Sequence, residues 1–295
     1  MSKEDEYDKV KLEQFQANQR LESEEIYQLR QKKKQIVEDL QDGGIKNIKS
    51  KILDHVNKNF YNTHDLQIEF RKHPAYSKLE IKNFLPLDVL RAMAEELNNL
   101  PVEKAKKFDR RGSCMYEFND LTETPIQEQV VNAMHSSPFL TWLQEVTDTK
   151  DLIPDPHLIG AGYAKNFTGD SLKIHTDFNW NEQLRLHRRL SLVIYLNETW
   201  NKEWGGNLDF YDLDRKNILS TVVPGPGNLV LWSYHNLAYH GYPEPMTNPI
   251  DESRKCFRLF YYVSNSKYHE KFPPHRSLYW FDENENTPYD KPWIN

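Results

Sequence analysis

Hydrophobic positions change rhythm along this chain. From Met1 to about Arg71 charged residues dominate, acids and bases balance, and Ile26, Leu29, Ile36, Val37 and Leu40 fall near heptad spacing with Lys33 interrupting the seam. That pattern predicts a solvated helical extension, with a self-associating coiled coil as the alternative. Gly43-Gly44 ends the first helix, and a second helical piece is expected from Ile45 to about Tyr61. Near Pro74 the character shifts. Tyr76 to Phe84, YSKLEIKNF, alternates as a half-buried strand does, and Pro86-Leu87-Asp88 opens an amphipathic helix carrying Leu90, Met93, Ala94 and Leu97. Phe108 to Phe118 reads as extended and loop-like. Pro125 to Met134 and Pro138 to Val146 read as helices, the second with Phe139, Trp142, Leu143 and Val146 as a core stripe.

From Leu158 onward the period becomes that of strands. His157 to Tyr163 leads into a segment around His175. Leu190 to Leu196, LSLVIYL, is almost wholly apolar, as in a strand buried on both faces. Asn207–Tyr211, Ser220–Val223, Asn228–Trp232 and Cys256–Val263 follow, punctuated by Gly205-Gly206 and by Pro224-Gly225-Pro226-Gly227. Short strands at regular spacing between such breakers predict a β-sandwich or jelly roll. The tail from Lys267 to Asn295 is aromatic without periodicity and reads as an irregular strap. The expected organisation is mainly β with flanking helices: an extension over residues 1–72, then one domain over 73–295 with its core strands at about 157–265 and the strap at 266–295.

Composition narrows the function classes. Aromatic residues make up 13% of the 295, which suits a substantial core. The mean hydropathy of −0.81 fits a polar extension beside it. A formal net charge of −6, with no basic run interleaved with aromatics, argues against nucleic acid as a partner. Cys114 and Cys256 are too few for a disulfide framework or a thiolate zinc site. The first ten residues carry no apolar signal core, and no apolar run reaches the ~18 residues that cross a bilayer. A soluble, membrane-free protein of a reducing compartment, the cytoplasm, is the expectation.

The candidate chemistry lies in Lys173 to Trp180, KIHTDFNW. On a strand, residues two apart share a face, so His175 and Asp177 project together and Thr176 projects away. One imidazole and one carboxylate on one face supply two thirds of the facial triad that holds non-heme Fe(II) with open coordination positions. The third ligand should be a later histidine. His235 sits in a turn, Ser233 to Asn236, whereas His240 precedes Gly241, which permits close backbone approach, so His240 is preferred. His157 and His187 suit packing. Such a site needs an oxidisable co-substrate, and the far carboxylate of a keto acid needs a cation with Arg's planar fork. Alternation puts Arg254, Cys256, Arg258 and Phe260 on one face of the last strand, and spacing does not separate the two arginines. Asn179, Trp180, Arg188 and Arg189 flank the site as substrate contacts or loop packing.

Taken in order, HTDF, RRLSLVIYLNETWNKEWGGNLDFYD, NLVLWS, YHGYPEP and RKCFRLFYYV make the run from Leu158 to Ser264 resemble the Fe(II)- and 2-oxoglutarate-dependent dioxygenases, in particular their prolyl-hydroxylase-like branch. The resemblance implies a double-stranded β-helix, cupin-like, with His175, Asp177 and His240 on iron. It favours Arg254 over Arg258 for 2-oxoglutarate and adds Tyr195 and Tyr163 as contacts for that co-substrate. The separation from His240 to Arg254 is longer than in the prolyl hydroxylases, with Asn248 to Asp251 intervening. Fe(II), 2-oxoglutarate and O2 are the implied cofactors, with ascorbate a candidate reductant. A small molecule, peptide or protein, prolyl by default, is the implied substrate. Halogenating relatives lack the carboxylate, so Asp177 points to hydroxylation. The rivals are a non-catalytic binding module of the same fold and a cupin-like metalloenzyme that uses no keto acid.

Overall fold

A computed structural model describes residues 47–73, 76–110, 113–233, 238–264 and 274–279, with Glu24 and Gln28 as isolated positions. The chain divides into two compact units, residues 1–46 with 120–125 and residues 47–119 with 126–295. The heptad-like positions of the first unit lie outside the described residues, and so does the self-association expected of them.

The second unit opens with α1 (Ile48–Asn59) and α2 (Thr63–Arg71). Ile48, Ile52 and Val56 recur every fourth residue, form one stripe of α1, and are buried. The Trp142 indole N–H donates to Phe60 O at 2.9 Å, and Gln67 Nε2 donates to Glu145 O at 2.8 Å. These helices pack into the unit that carries the strands, so that unit begins at Asn47 and not at residue 73, where the sequence placed the boundary. The charge of this stretch hid its narrow apolar stripe.

The strand expected at Tyr76–Phe84 is β1 (Lys78–Ile81), with Leu79 and Ile81 buried alternately. It ends where Asn83 takes a left-handed φ of 53°. α3 (Leu87–Asn99) buries Val89, Leu90, Met93 and Leu97. The stretch Phe108–Phe118, expected to be extended and loop-like, is extended but paired as a hairpin, β2 (Lys106–Arg110) against β3 (Ser113–Phe118). Of the described side chains of its outer strand only Phe108 is half-buried and the others are exposed, so it lacks the alternation that marks a strand in sequence. Two helices follow as expected, α4 (Pro125–Met134) and α5 (Ser137–Thr147), and the Phe139, Trp142, Leu143 and Val146 stripe is buried.

The remaining strands are β4 (Ile153–Pro154), β5 (Gly162–Asn166), β6 (Leu172–Thr176), β7 (Trp180–Asn181), β8 (Leu186–Tyr195), β9 (Leu208–Tyr211), β10 (Ile218–Val222), β11 (Leu229–Ser233), β12 (His240–Tyr242), β13 (Arg254–Val263) and β14 (Leu278–Tyr279). They form two antiparallel sheets. The larger runs β1-β11-β8-β13-β5-β3-β2, with β4 beside β13 and β7 beside β8, and the smaller runs β10-β9-β12-β6-β14. Ala164, Val193, Tyr195, Val230, Trp232 and Cys256 of the larger sheet meet Leu208, Phe210 and Val222 of the smaller one in a shared core. This is the jelly-roll, double-stranded β-helix architecture.

The apolar run of β8 follows from its place between β11 and β13. Val193 and Tyr195 face the core between the sheets, so the fully buried Leu192 and Ile194 face the other way. Helices cover that outer face of the larger sheet. Tyr261 of β13 donates its hydroxyl to Met134 O at 3.2 Å, and Tyr163 of β5 donates to Glu96 Oε2 at 2.9 Å. Among the described residues no helix is long and apolar enough to cross a membrane.

Candidate metal centre

Register brings the candidate ligands together. β12 pairs with β6 so that His240 lies opposite His175, and the imidazole centroids stand 4.3 Å apart. Past His240 the register slips, and Tyr242 meets Leu172. At the slip a Cβ on residue 241 would come within 2.7 Å of Leu172 O, so only glycine lets the two backbones approach. Asp177 follows the end of β6, with Oδ1 3.6 Å from His175 Nε2 and Oδ2 3.8 Å from His240 Nε2. One donor atom from each of the three residues falls within 4.8 Å of the others.

Both rings are oriented for coordination. His175 Nδ1 donates to Lys173 O at 2.9 Å, and His240 Nδ1 donates to Ala238 O at 2.7 Å, which leaves each Nε2 lone pair facing Asp177. Burial among Phe210 and Trp232, with His175 alongside, lowers His240 to about 4, so the ring is neutral and able to ligate at neutral pH. Two imidazoles and a carboxylate suit a ferrous ion and leave positions free for other ligands.

Asp177 is held ionised. Burial alone would raise its carboxyl, but the Arg188 guanidinium, with His240 and His175, holds it well below the usual carboxylate range. Arg188 Nη2 donates to Asp177 Oδ2 at 2.9 Å and to Ser191 Oγ at 2.7 Å, and the Ser191 hydroxyl reaches the same Oδ2 at 3.3 Å. The guanidinium is 2% exposed and lies 3.4 Å from the Phe260 ring centroid and 4.5 Å from that of Phe178. Strict alternation would turn Arg188 away from Ser191. A bulge reconciles them, because β13 pairs Tyr261 with Leu190 but Tyr262 with Arg188, skipping Arg189.

The three residues border a cavity of about 270 Å³ between the sheets, lined also by Tyr195, Tyr242, Arg254, Arg258 and Tyr279. An apolar cavity of ~150 Å³ admits benzene, so this one has room for a five-carbon keto acid. Arg254 opens β13 and is 4% exposed. Its Nη2 donates to the Tyr195 hydroxyl at 3.0 Å, its Nε donates to Gly206 O at 2.7 Å, and its guanidinium lies 4.6 Å from the Tyr242 ring centroid. Burial pushes the Tyr242 phenol up to about 12 and raises Tyr195 too, so both remain hydroxyl donors at neutral pH. Among the described residues no carboxylate pairs with Arg254.

The other candidates part company with the site. Arg258 reaches the same cavity but its Nη2 is bound to Glu117 Oε1 of β3 at 2.7 Å, so its charge is already matched. Tyr163 does not reach the cavity. Its neighbour Ala164 faces the core between the sheets, so the tyrosine points to the helical side and donates to Glu96. His187 packs on Trp180, with centroids 4.5 Å apart. His235 lies outside the described residues. Sequence reasoning placed Arg188 beside the site as a substrate contact or loop packing, but the bulge hid its pairing with Asp177. It missed Tyr242, hidden by the slip after His240, and Tyr279, which lies in a tail with no period.

Residues 161–262 match the 2OG-Fe(II) oxygenase superfamily. The chain is 26% identical over 176 residues to mouse (Mus musculus) prolyl 3-hydroxylase OGFOD1 and 25% identical over 170 residues to its Xenopus laevis counterpart. These matches cover 57% and 55% of this chain, yet only 29% and 30% of the relatives' own length. A Pseudomonas putida prolyl-4-hydroxylase superposes with a TM-score of 0.50 over 68% of this chain and 100% of its own, at 19% identity, a likeness of fold. The matched span holds His175, Asp177, His240, Tyr195 and Arg254. Residues 161–262 thus carry the match to a 2OG-Fe(II) oxygenase domain, and the candidate ligands lie inside it.

Proposed function

We propose that the protein is a 2-oxoglutarate-dependent hydroxylase in which His175, Asp177 and His240 hold Fe(II) and Arg254 anchors the far carboxylate of 2-oxoglutarate. The observation that carries this reading is the pairing, in one cavity, of a His-Asp-His donor set with a buried arginine that, among the described residues, no carboxylate matches. A buried guanidinium without a counter-ion is costly unless a ligand supplies one. A metalloenzyme of this fold working without a keto acid would leave Arg254 with no such ligand.

When bound, the iron with 2-oxoglutarate and O2 supplies the oxidation that turns a substrate C–H into C–OH while the keto acid becomes succinate and CO2. The chain's own residues hold and screen. Arg188 and Ser191 hold the Asp177 carboxylate through Oδ2 and fix it beside the two imidazoles. The Tyr195 hydroxyl, beside Arg254, adds a neutral donor for the keto acid's far end, and the Tyr242 ring walls the same corner. Phe178, Val193, Leu208, Trp232 and Phe260 line the remainder and keep water from the site.

For the substrate we propose a prolyl residue of a peptide or protein, in keeping with the prolyl hydroxylases among the chain's relatives. A reducing compartment, the cytoplasm, remains part of this reading, with Cys114 and Cys256 as free thiols. The test is succinate release by the Fe(II)-loaded full chain over a panel of proline-containing peptides, with mass analysis for one added oxygen on proline. Oxygen on another residue type would reassign the substrate. No stimulation by any peptide or protein would leave a small molecule.

A further inference from the structure

We propose that Tyr279 is a positioning residue for His175, and that the metal centre is complete only when the C-terminal strand β14 is docked on β6. The proposal rests on the metal-binding reading above and adds a part that lies outside the 161–262 match.

In its absence β6, the strand that carries His175, would be an open edge of the smaller sheet, because β12 covers only one side. β14 fills the other side with Tyr279 opposite His175 and Leu278 opposite Thr176. The Tyr279 ring is 4% exposed and stacks on the His175 imidazole with centroids 4.9 Å apart and planes 13° apart. His240 covers the other side of that imidazole, and Phe108 of the β2–β3 hairpin covers the far face of Tyr279 at 6.0 Å. His240 is enclosed by Phe210 and Trp232, both from the two sheets themselves. His175 depends for its outer wall on the C-terminal segment. The one hydrogen bond from its Nδ1 fixes the tautomer, and a stacked ring then fixes the plane in which Nε2 points.

The docking is specified by hydrogen bonds and not by apolar contact alone. Phe178 N donates to Ser277 Oγ at 3.1 Å, His275 N donates to the buried Asn179 Oδ1 at 2.7 Å, and Asn179 N donates to His275 O at 3.2 Å. These bonds fall on the residues directly after Asp177, so the segment braces the backbone on both ligand-bearing sides. Ser277 and Tyr279 also stand between the metal cavity and a neighbouring one of about 440 Å³ lined by Trp180, Gln183 and His275. Loss of the Tyr279 ring would join the two and admit water to the ligands.

The test uses the full-length chain and Mn(II) as the probe, so no turnover is needed. Tyr279→Ala and Tyr279→Leu should weaken Mn(II) binding, read by calorimetry, by roughly tenfold or more, the range for lost support of a metal ligand. Tyr279→Phe should bind as the wild type does, since the ring is what stacks. A purely structural role would lower the melting temperature of the metal-free protein and leave the dissociation constant alone. The wild type offers a check that needs no variant. Coupling is reciprocal, so Mn(II) should slow backbone hydrogen exchange at residues 274–279. Wild-type binding with unchanged exchange there, or folded Ala and Leu variants binding within twofold of it, overturns the proposal and leaves the oxygenase reading intact. Failure of the wild type to bind Mn(II) overturns both.

Discussion

Replacing Arg254 by Met tests the cavity's logic most sharply. Met keeps an unbranched apolar stem beside Tyr195 and Tyr242 but ends short of the guanidinium, so the charge is lost. In the wild type, a bound keto acid's far carboxylate would find a guanidinium buried at 4% exposure and a phenol at 3.0 Å from it. Breaking such a buried pair by removing one partner costs about 3–5 kcal/mol. At 1.4 kcal/mol per factor of ten, the dissociation constant for 2-oxoglutarate should rise by about two to three and a half orders of magnitude. The assay is calorimetric titration of 2-oxoglutarate into Mn(II)-loaded protein, where no turnover intervenes. A second titration with a straight-chain 2-oxo acid lacking the far carboxylate completes the cycle. The wild type should bind that analogue weakly, and Arg254→Met should bind both acids about equally. Arg258→Met is the control, because Glu117 already matches that charge. If Arg254→Met binds 2-oxoglutarate within a few fold of wild type, or if Arg258→Met shows the loss instead, the reasoning about the unmatched guanidinium is refuted.

Other outcomes follow from the same structure. Tyr163→Phe should leave 2-oxoglutarate affinity unchanged and lower stability by about 1 kcal/mol in urea unfolding, since its hydroxyl bonds Glu96 on the helical side of the sheet. Ile52→Ala should destabilise the full chain by roughly 2–5 kcal/mol, as for other buried aliphatic truncations, if α1 belongs to the oxygenase unit; a solvated helix would show almost none. Burial lowers His135 from 6.5 to about 4. Because that folded value is depressed, the neutral ring's contribution is whole above pH 6.5 and is lost as pH falls towards 4. The loss from this one site is on the order of 3 kcal/mol, and His135→Phe should flatten that part of the stability–pH curve while leaving metal binding unchanged.

How much of this was legible in the sequence varies with how local the signal is. The HTD segment, the apolar β8 and the Gly/Pro breakers declare themselves, because each depends on residues next to one another. His240 was legible through Gly241, whose lack of a side chain the register slip requires. Arg254 and Arg258 could not be separated by alternation, since both face the cavity. What divides them is Glu117, distant in sequence and brought close by the β3–β5–β13 order of the sheet. Tyr163 was misplaced for a simpler reason: a strand has two faces, and being buried does not say on which one. The α1 helix was read as solvated because a stripe of Ile48, Ile52 and Val56 is thin against so many charged neighbours. Arg188 and Tyr279 depend on a bulge and on an edge pairing, and neither leaves a period to read.

His175, Asp177 and His240 are proposed to hold one ferrous ion that works with 2-oxoglutarate. The most direct measurement is the formation of succinate from 2-oxoglutarate by the Fe(II)-loaded full chain under air, beside an Asp177→Ala variant shown to be folded. The wild type should form succinate in an Fe(II)-dependent way, and the variant almost none. Iron-loaded wild type that yields no succinate with or without candidate substrates, or a variant that yields as much as the wild type, would contradict that proposal.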